Sequence, residues 1–214
     1  IRTILDSANQ ALQTLEKFKE RLNHVSTSLS ALEFEDAVTL HDVLSVVQRL
    51  EMVLVIVQEI ERYIIELGTE GRLIRLQLEM MMLHVREDRE ALLADYLPEL
   101  TPDSLKEARE ALGSLPSDEL LSLARLGEIL GYERGVNTLE KHLSPRGYRV
   151  LRKIPRLPQE IIAELIGRYG YLREILDATP EELAASDCVS LGRARDIKEG
   201  LNRLRELNLL ERYG

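Results

Sequence analysis

The sequence predicts an all-α fold, and composition and periodicity are the two observations that predict it. Leu and Glu, both good helix formers, are abundant. Apolar residues recur at helical spacing over long stretches, with charged residues between them. The chain has no Trp and only two Phe among its 214 residues, so its core must consist of Leu, Ile, Val and Met. This length predicts one or two domains.

The N-terminal part predicts two long helices packed together. Residues 3–32 form one amphipathic pattern, and residues 43–67 form the second. Between them, residues 39–42 resemble a capping box with Asp in place of Glu, and Gly68 suits a C-terminal cap. Residues 52–57 are rich in β-branched side chains and could form a strand. The helical pattern around them, without a turn signal, favours a buried helix.

The middle of the chain predicts one more long helix and then shorter ones. Residues 70–97 form a helical pattern that Pro98 ends. A Thr-Pro pair opens a helix over 101–112, and Ser-Asp-Glu opens another that ends near residue 131. Residues 132–143 lack a clear period and predict a loop with one helical turn. This loop is the best domain boundary, which divides the chain into a helical spine (1–143) and a C-terminal domain (144–214).

The C-terminal domain predicts five helices joined by short turns. Ser144-Pro145 repeats the Thr-Pro start signal, and Thr179 with Glu182 forms a capping box. The clearest helical patterns there cover residues 158–169, 171–176, 179 onward and 192–207, with Gly170 ending the first of them.

Charge is distributed unevenly between the two predicted domains. The whole chain has a net charge of -9. From Ser144 onward there are 13 Lys/Arg and 11 Asp/Glu, or +2, which leaves 15 and 26, or -11, for the spine. Residues 146–156 contain five positive charges and no negative ones. The acidic total argues against nucleic-acid binding, but the local excess of positive charge permits it.

Two hairpin-like segments, residues 154–158 and 187–195, each join one helix to another that has basic side chains nearby. This layout resembles a tandem helix-hairpin-helix module, which binds DNA without sequence specificity. More specifically, residues 30–53, 60–79 and 144–158 resemble the helical linker and first hairpin of the bacterial DNA-integrity scanning diadenylate cyclases. That resemblance covers nearly the whole chain.

The resemblance implies a role and a missing part. Members of this family join a cyclase domain, which makes cyclic di-AMP from two ATP, to a helical spine and a DNA-binding hairpin domain. The family's Asp-Gly-Ala and Arg-His-Arg motifs do not occur here. We therefore expect a piece that begins after the cyclase and has no enzymatic activity or cofactor, with ATP and a divalent metal needed only by the cyclase. The implied partners are branched or duplex DNA, the cyclase domain and, for the full-length protein, further copies of itself. The implied location is cytoplasmic and nucleoid-associated.

The predicted DNA contacts are to phosphate, and they come from both hairpins. The side chains and backbone positions concerned are Arg149, Arg152, Lys153, Arg156, Ser190, Gly192, Arg193, Arg195 and Lys198. For the basic run of the first hairpin we favour a phosphate-facing role over a salt-bridged surface. For the second hairpin, a DNA surface and an ordinary solvated helix face both stay open.

The second hairpin departs from the usual pattern of such modules, which carry Gly-hydrophobic-Gly. Cys188-Val189-Ser190 stands there, and the first hairpin has Arg156 and Pro158 in place of glycines. Glycine permits positive φ and close backbone approach to a phosphate. A second hypothesis follows from this loss: the chain is a structural or protein-interaction spine whose hairpin domain no longer binds DNA.

Other reactive side chains give no site. The four histidines are far apart and lack metal-ligand spacing, the single Cys188 precludes an internal disulfide, and the Met80–Met82 run is typical of core packing. The longest unbroken apolar run, residues 52–57, is too short to span a membrane.

Overall fold

The computed structural model describes residues 1–213, and it confirms the all-α fold. The spine contains α1 (Arg2–Glu35), α2 (Leu40–Leu67), α3 (Arg72–Met81), α4 (Val85–Tyr96), α5 (Pro102–Gly113) and α6 (Leu123–Ile129). Short 3-10 turns cover Gly68–Gly71, Glu119–Leu121 and Thr138–Glu140. Within residues 1–213, strand structure is limited to β1 (Val38–Thr39) and β2 (His142–Leu143), which pair antiparallel.

The long helices α1 and α2 pack against each other and form the centre of the spine. The predicted capping box is present at the start of α2: the Thr39 N–H donates to Asp42 Oδ2 at 2.8 Å, and the Asp42 N–H donates to Thr39 Oγ1 at 3.4 Å. Residues 52–57 lie inside α2 and are helical, as predicted. Gly68 ends the helix with a φ of 57°, which confirms its role as C-cap.

The prediction of one helix over residues 70–97 is wrong. The chain breaks after Met81, and α4 begins at Val85, because His84 adopts a left-handed conformation with φ 69°. The break lets α3 and α4 both pack against α2. Residues 82–84 contain neither Gly nor Pro, so no local signal predicts the break.

Two predicted helix starts also need correction. A 3-10 turn replaces the helix expected at residue 117, and α6 begins later, where Ser122 Oγ accepts the Arg125 N–H at 3.2 Å. No helix begins at Ser144-Pro145. Instead, the Ser144 hydroxyl donates to Asp36 Oδ1 at 3.1 Å, and the Pro145 carbonyl accepts the Leu172 N–H at 3.0 Å. These long-range bonds hold the segment extended.

Five helices follow, in the number predicted. They are α7 (Tyr148–Leu151), α8 (Gln159–Tyr169), α9 (Leu172–Asp177), α10 (Pro180–Leu183) and α11 (Leu191–Tyr213). The buried apolar side chains form two clusters, one from Ala8 to Leu130 and one from Val150 to Leu201. The predicted boundary after Leu143 lies between these clusters, and its status as a domain boundary stays a prediction. We call residues 144–213 the hairpin region.

Candidate nucleic-acid interface

The two predicted hairpins have the same order of elements. In each, a four-residue helix (α7 or α10) is followed by a turn and then by a longer helix (α8 or α11). The offset is 32 residues, as given by Leu151 and Leu183 (183 − 151), which are both fully buried. The same offset relates Leu165 to Ile197, also buried in the second apolar cluster. The hairpin region is therefore an approximate internal repeat.

The two helices that follow the hairpins begin with unsatisfied backbone donors. At the start of α8, the N–H groups of Gln159 and Glu160 have no acceptor within residues 1–213, and Pro158 offers no side-chain cap. At the start of α11 the same is true of Leu191 and Gly192. Such N-termini combine free N–H groups with the positive end of the helix dipole, which favours a bound anion.

Ser190 and Gly192 shape the start of α11. Ser190 Oγ accepts the Arg193 N–H at 3.2 Å, so the serine caps the helix. Its hydroxyl proton is still available to an outside acceptor. A Cβ added at Gly192 would meet nothing within 4 Å, so the backbone there is open to solvent. Ser190, which stands where such hairpins usually have their second glycine, thus caps the helix.

The cations of α11 divide into two groups. Arg193 and Arg195 are exposed, and neither forms an ion pair with any residue of the described chain. Lys198 points the other way, because its Nζ donates to the Leu176 carbonyl at the end of α9. Burial, with Arg205 nearby, lowers the pKa of Lys198. Two of the three predicted cations on this helix are therefore accessible to a phosphate.

Arg156 and Cys188 occupy equivalent positions in the two hairpins, since they are 32 residues apart (188 − 156). Arg156 is exposed and has a φ of 61°, whereas Cys188 is not among the described residues with positive φ. The second hairpin therefore follows a path that does not require glycine at this position. A hydrogen bond to Glu164 raises the pKa of the Cys188 thiol, which disfavours the reactive thiolate.

The basic run of residues 146–156 mostly faces the spine. The Arg146 guanidinium donates to the carbonyls of Leu97 at 2.7 Å and Ala94 at 3.0 Å, and so caps the C-terminal end of α4. Arg152 pairs with Asp88 and, at 3.4 Å, with Glu87. Four of the five cations in this run contact spine atoms.

Arg149, which the sequence predicts to contact DNA phosphate, is buried against the spine. It is only 5% exposed, and its guanidinium pairs with Glu33 and donates to Ser26 Oγ at 2.9 Å. A buried guanidinium that is already paired cannot contact a DNA phosphate in this conformation. In this conformation the salt-bridged alternative describes Arg149, and its contact with DNA stays a prediction.

Lys153 and Arg156 end the run differently. Lys153 Nζ donates to Ser30 Oγ of α1 at 3.1 Å, and burial and the nearby Arg149 lower its pKa. Arg156 has no ion-pair partner in the described chain. Ile154, just before it, packs against α11, since a Cβ added at Gly200 would lie 3.1 Å from Ile154 Cγ2. The first hairpin therefore lies against the helix that follows the second.

Asp95 and Glu33 are the functional residues that sequence reasoning missed. Asp95 is 1% exposed, and its carboxylate accepts the N–H groups of Gly147 (2.9 Å), Tyr148 (2.6 Å) and Arg149 (3.1 Å) at the start of α7. Burial and the charge of Glu33 raise the pKa of Asp95 to about 7. The signal available in the sequence was a single acid inside the apolar run of residues 91–97.

A second buried hydrogen bond completes this polar cluster. The Tyr96 hydroxyl donates to Glu33 Oε2 at 2.8 Å, on the carboxylate that also binds Arg149. Burial and Glu33 raise the pKa of Tyr96 well above its usual value, so the phenol stays a donor. We call Glu33, Asp95, Tyr96 and Arg149 the junction cluster. It joins the spine to the hairpin region through polar groups.

The described residues include no group of His, Cys, Asp and Glu placed to hold a metal ion. None of the helices in residues 1–213 has the length and apolar character needed to cross a membrane.

The described chain is an all-α spine with a hairpin region docked on it. Residues 1–139 match the family described as the DisA bacterial checkpoint controller linker region, and the chain belongs to that family. The predicted family is thus confirmed. The chain is 47% identical over 211 residues to the DNA integrity scanning protein DisA of Frankia alni. It is 47% identical over 213 residues to that of Streptomyces coelicolor. These matches cover 98% of this chain but 59% and 57% of the relatives, so the chain spans less than two thirds of their length.

Proposed function

We propose that the hairpin region binds DNA through phosphate contacts, without reading base sequence. The proposed contacts are the open N-termini of α8 and α11, with Arg156, Arg193 and Arg195 beside them. Backbone amides and arginines directed at phosphates position a protein on DNA but do not specify a sequence. The printed name of the relatives, DNA integrity scanning protein, agrees with this proposal.

The main support is the repeated hairpin: α8 and α11 both begin with exposed N–H groups that have no acceptor in the described chain, and both contribute side chains to one apolar cluster. The acidic spine does not oppose this at physiological salt, because electrostatic fields fade over about 8 Å. With few cations exposed, we expect weak binding, micromolar or weaker at moderate salt, as for non-specific binders.

A second function is favoured by the basic run of the first hairpin. Since four of its five cations contact the spine, the run works as a docking element in this conformation. On this alternative, the chain is a structural spine that holds the hairpin region at a fixed position, and DNA binding has been lost.

Replacing both exposed arginines of α11 distinguishes the two functions. Arg193→Glu with Arg195→Glu should weaken binding to all duplex and branched DNA alike. The slope of log K against log salt concentration should become shallower by about 1.8, or 0.9 for each lost phosphate contact. The matched control is Arg72→Glu with Arg75→Glu, two exposed arginines on α3 with the same change in charge. A salt-dependent titration measures both. Equal binding by the two variants would leave the structural spine as the function.

We further infer that this chain does not make cyclic di-AMP, because it lacks the Asp-Gly-Ala and Arg-His-Arg motifs of the cyclases. Incubation of the pure chain with ATP and a divalent cation should give no cyclic di-AMP. Product at any level above a no-protein control would contradict this inference.

A further inference from the structure

Arg152 is placed between two possible partners. On the spine side, its guanidinium pairs with Asp88 and lies 3.4 Å from Glu87, both in the first turn of α4. Arg152 also lines a cleft of about 850 Å³ together with Leu157 and Gln159, at the start of α8. The open N-terminus of α8 therefore borders the same cleft as an arginine that is already paired.

The pairing of Arg152 is of a kind that phosphate can replace. Its two acidic partners are largely exposed, with side-chain exposures of 55% for Asp88 and 66% for Glu87. Exposed ion pairs contribute little net stability, typically 0–1 kcal/mol. Two oxygens of a phosphate offer the guanidinium the same bidentate geometry as a carboxylate.

Two other cations of the basic run also contact the spine. Lys153 donates to Ser30 while the residue stays exposed, whereas buried Arg149 pairs with Glu33. The hairpin region and the spine have separate apolar clusters, which meet where Phe34 of α1 packs against the second cluster, and polar groups join them at the junction cluster. The Arg152 pair, whose acidic partners are exposed, can therefore open without separating the buried part of the junction.

We propose that Asp88 and Glu87 of the spine withhold Arg152 from DNA, so that the docked hairpin region is autoinhibited. Release of the contact gives a phosphate at the start of α8 an additional cation. This inference rests on the proposed DNA binding, and its partner is the phosphate backbone of DNA.

The test is the salt dependence of binding to one duplex. Glu87→Gln with Asp88→Asn removes both acidic partners at exposed positions, so the fold should persist, and far-UV circular dichroism checks this. The slope of log K against log salt should become steeper by about 0.9, the value for one added phosphate contact on B-DNA. The matched control, Glu16→Gln with Glu20→Gln, removes two exposed charges from the middle of α1.

Arg152→Ala in both backgrounds identifies the cation responsible. In both chains the slope of log K against log salt is compared with and without Arg152→Ala. The substitution should make the slope shallower in the Glu87→Gln/Asp88→Asn chain, by about 0.9 more than in the unmodified chain. Equal effects in the two backgrounds, or a slope in the released chain that matches the α1 control, would overturn the autoinhibition alone. Absence of DNA binding by every variant would overturn the proposed function and this inference together.

Discussion

Arg156 and Cys188 show how one residue sets the backbone of each hairpin. They are equivalent by the 32-residue offset (188 − 156), yet of the two only Arg156 has positive φ, at 61°. A side chain in the left-handed region costs roughly 1–2 kcal/mol, because Cβ approaches the following carbonyl oxygen. Arg156 therefore adds strain to the first hairpin, and it also adds an exposed charge there.

Glycine at these two positions should have opposite effects. Arg156→Gly removes the left-handed strain and should raise the free energy of unfolding by about 0.5–1 kcal/mol, after the entropy cost of glycine. Cys188→Gly has no such strain to remove and should lower the free energy of unfolding by about 0.5–1 kcal/mol. Urea denaturation at neutral pH measures both. A loss of stability in both variants would contradict the assigned difference between the hairpins.

The sequence was enough to predict that Arg193 and Arg195 are accessible cations at a helix start, but not that Arg149 pairs with Glu33. The first two follow a local signal, a helix start after a hairpin, and they are exposed as expected. The partner of Arg149 is Glu33, 116 residues earlier in the chain. Positive charge alone does not tell whether a side chain meets a phosphate or a distant carboxylate, so a dense basic run was taken for a DNA surface.

At the scale of helices and turns, prediction succeeded where the deciding contact is local. The capping boxes of Thr39 with Asp42 and of Thr179 with Glu182 span three residues, and both are present. Gly68 and Gly170 end their helices as predicted. Short-range chemistry of this kind is visible in a single sequence.

Prediction failed where tertiary packing decides. The break between α3 and α4 occurs at His84, and packing of both helices on α2 determines it. The pairing of β1 with β2 matches Val38 with Leu143 and Thr39 with His142, more than 100 residues apart by number (143 − 38 = 105). No local pattern could indicate such two-residue strands. They attach the segment just before the hairpin region to the loop between α1 and α2.

At the scale of the molecule, the spine and the hairpin region are two bodies that each enclose an apolar cluster, and charged side chains lie at the junction between them. Where the two meet, Arg146, Arg149 and Arg152 bind particular groups of the acidic spine at close range. The network is specific because Asp95 fixes the start of α7 through three N–H groups. Docking thus depends on buried polar groups, which are costly to leave unpaired.

Removing Arg149 should therefore uncouple the two bodies. Arg149→Ala leaves Glu33, whose side chain is fully buried, without its cation, a change that typically costs about 3–5 kcal/mol. The lost contact joins the two bodies. We therefore expect the free energy of opening, as reported by amide hydrogen exchange, to become lower for residues 150–201 than for α1 and α2. The matched control is Arg89→Ala, which breaks the ion pair with the buried Glu51 inside the spine. That variant should reduce protection in α2 and α4 first. Hydrogen exchange followed by mass spectrometry resolves the two patterns. Uniform loss of protection across both bodies in Arg149→Ala would show that the junction cluster does not govern docking.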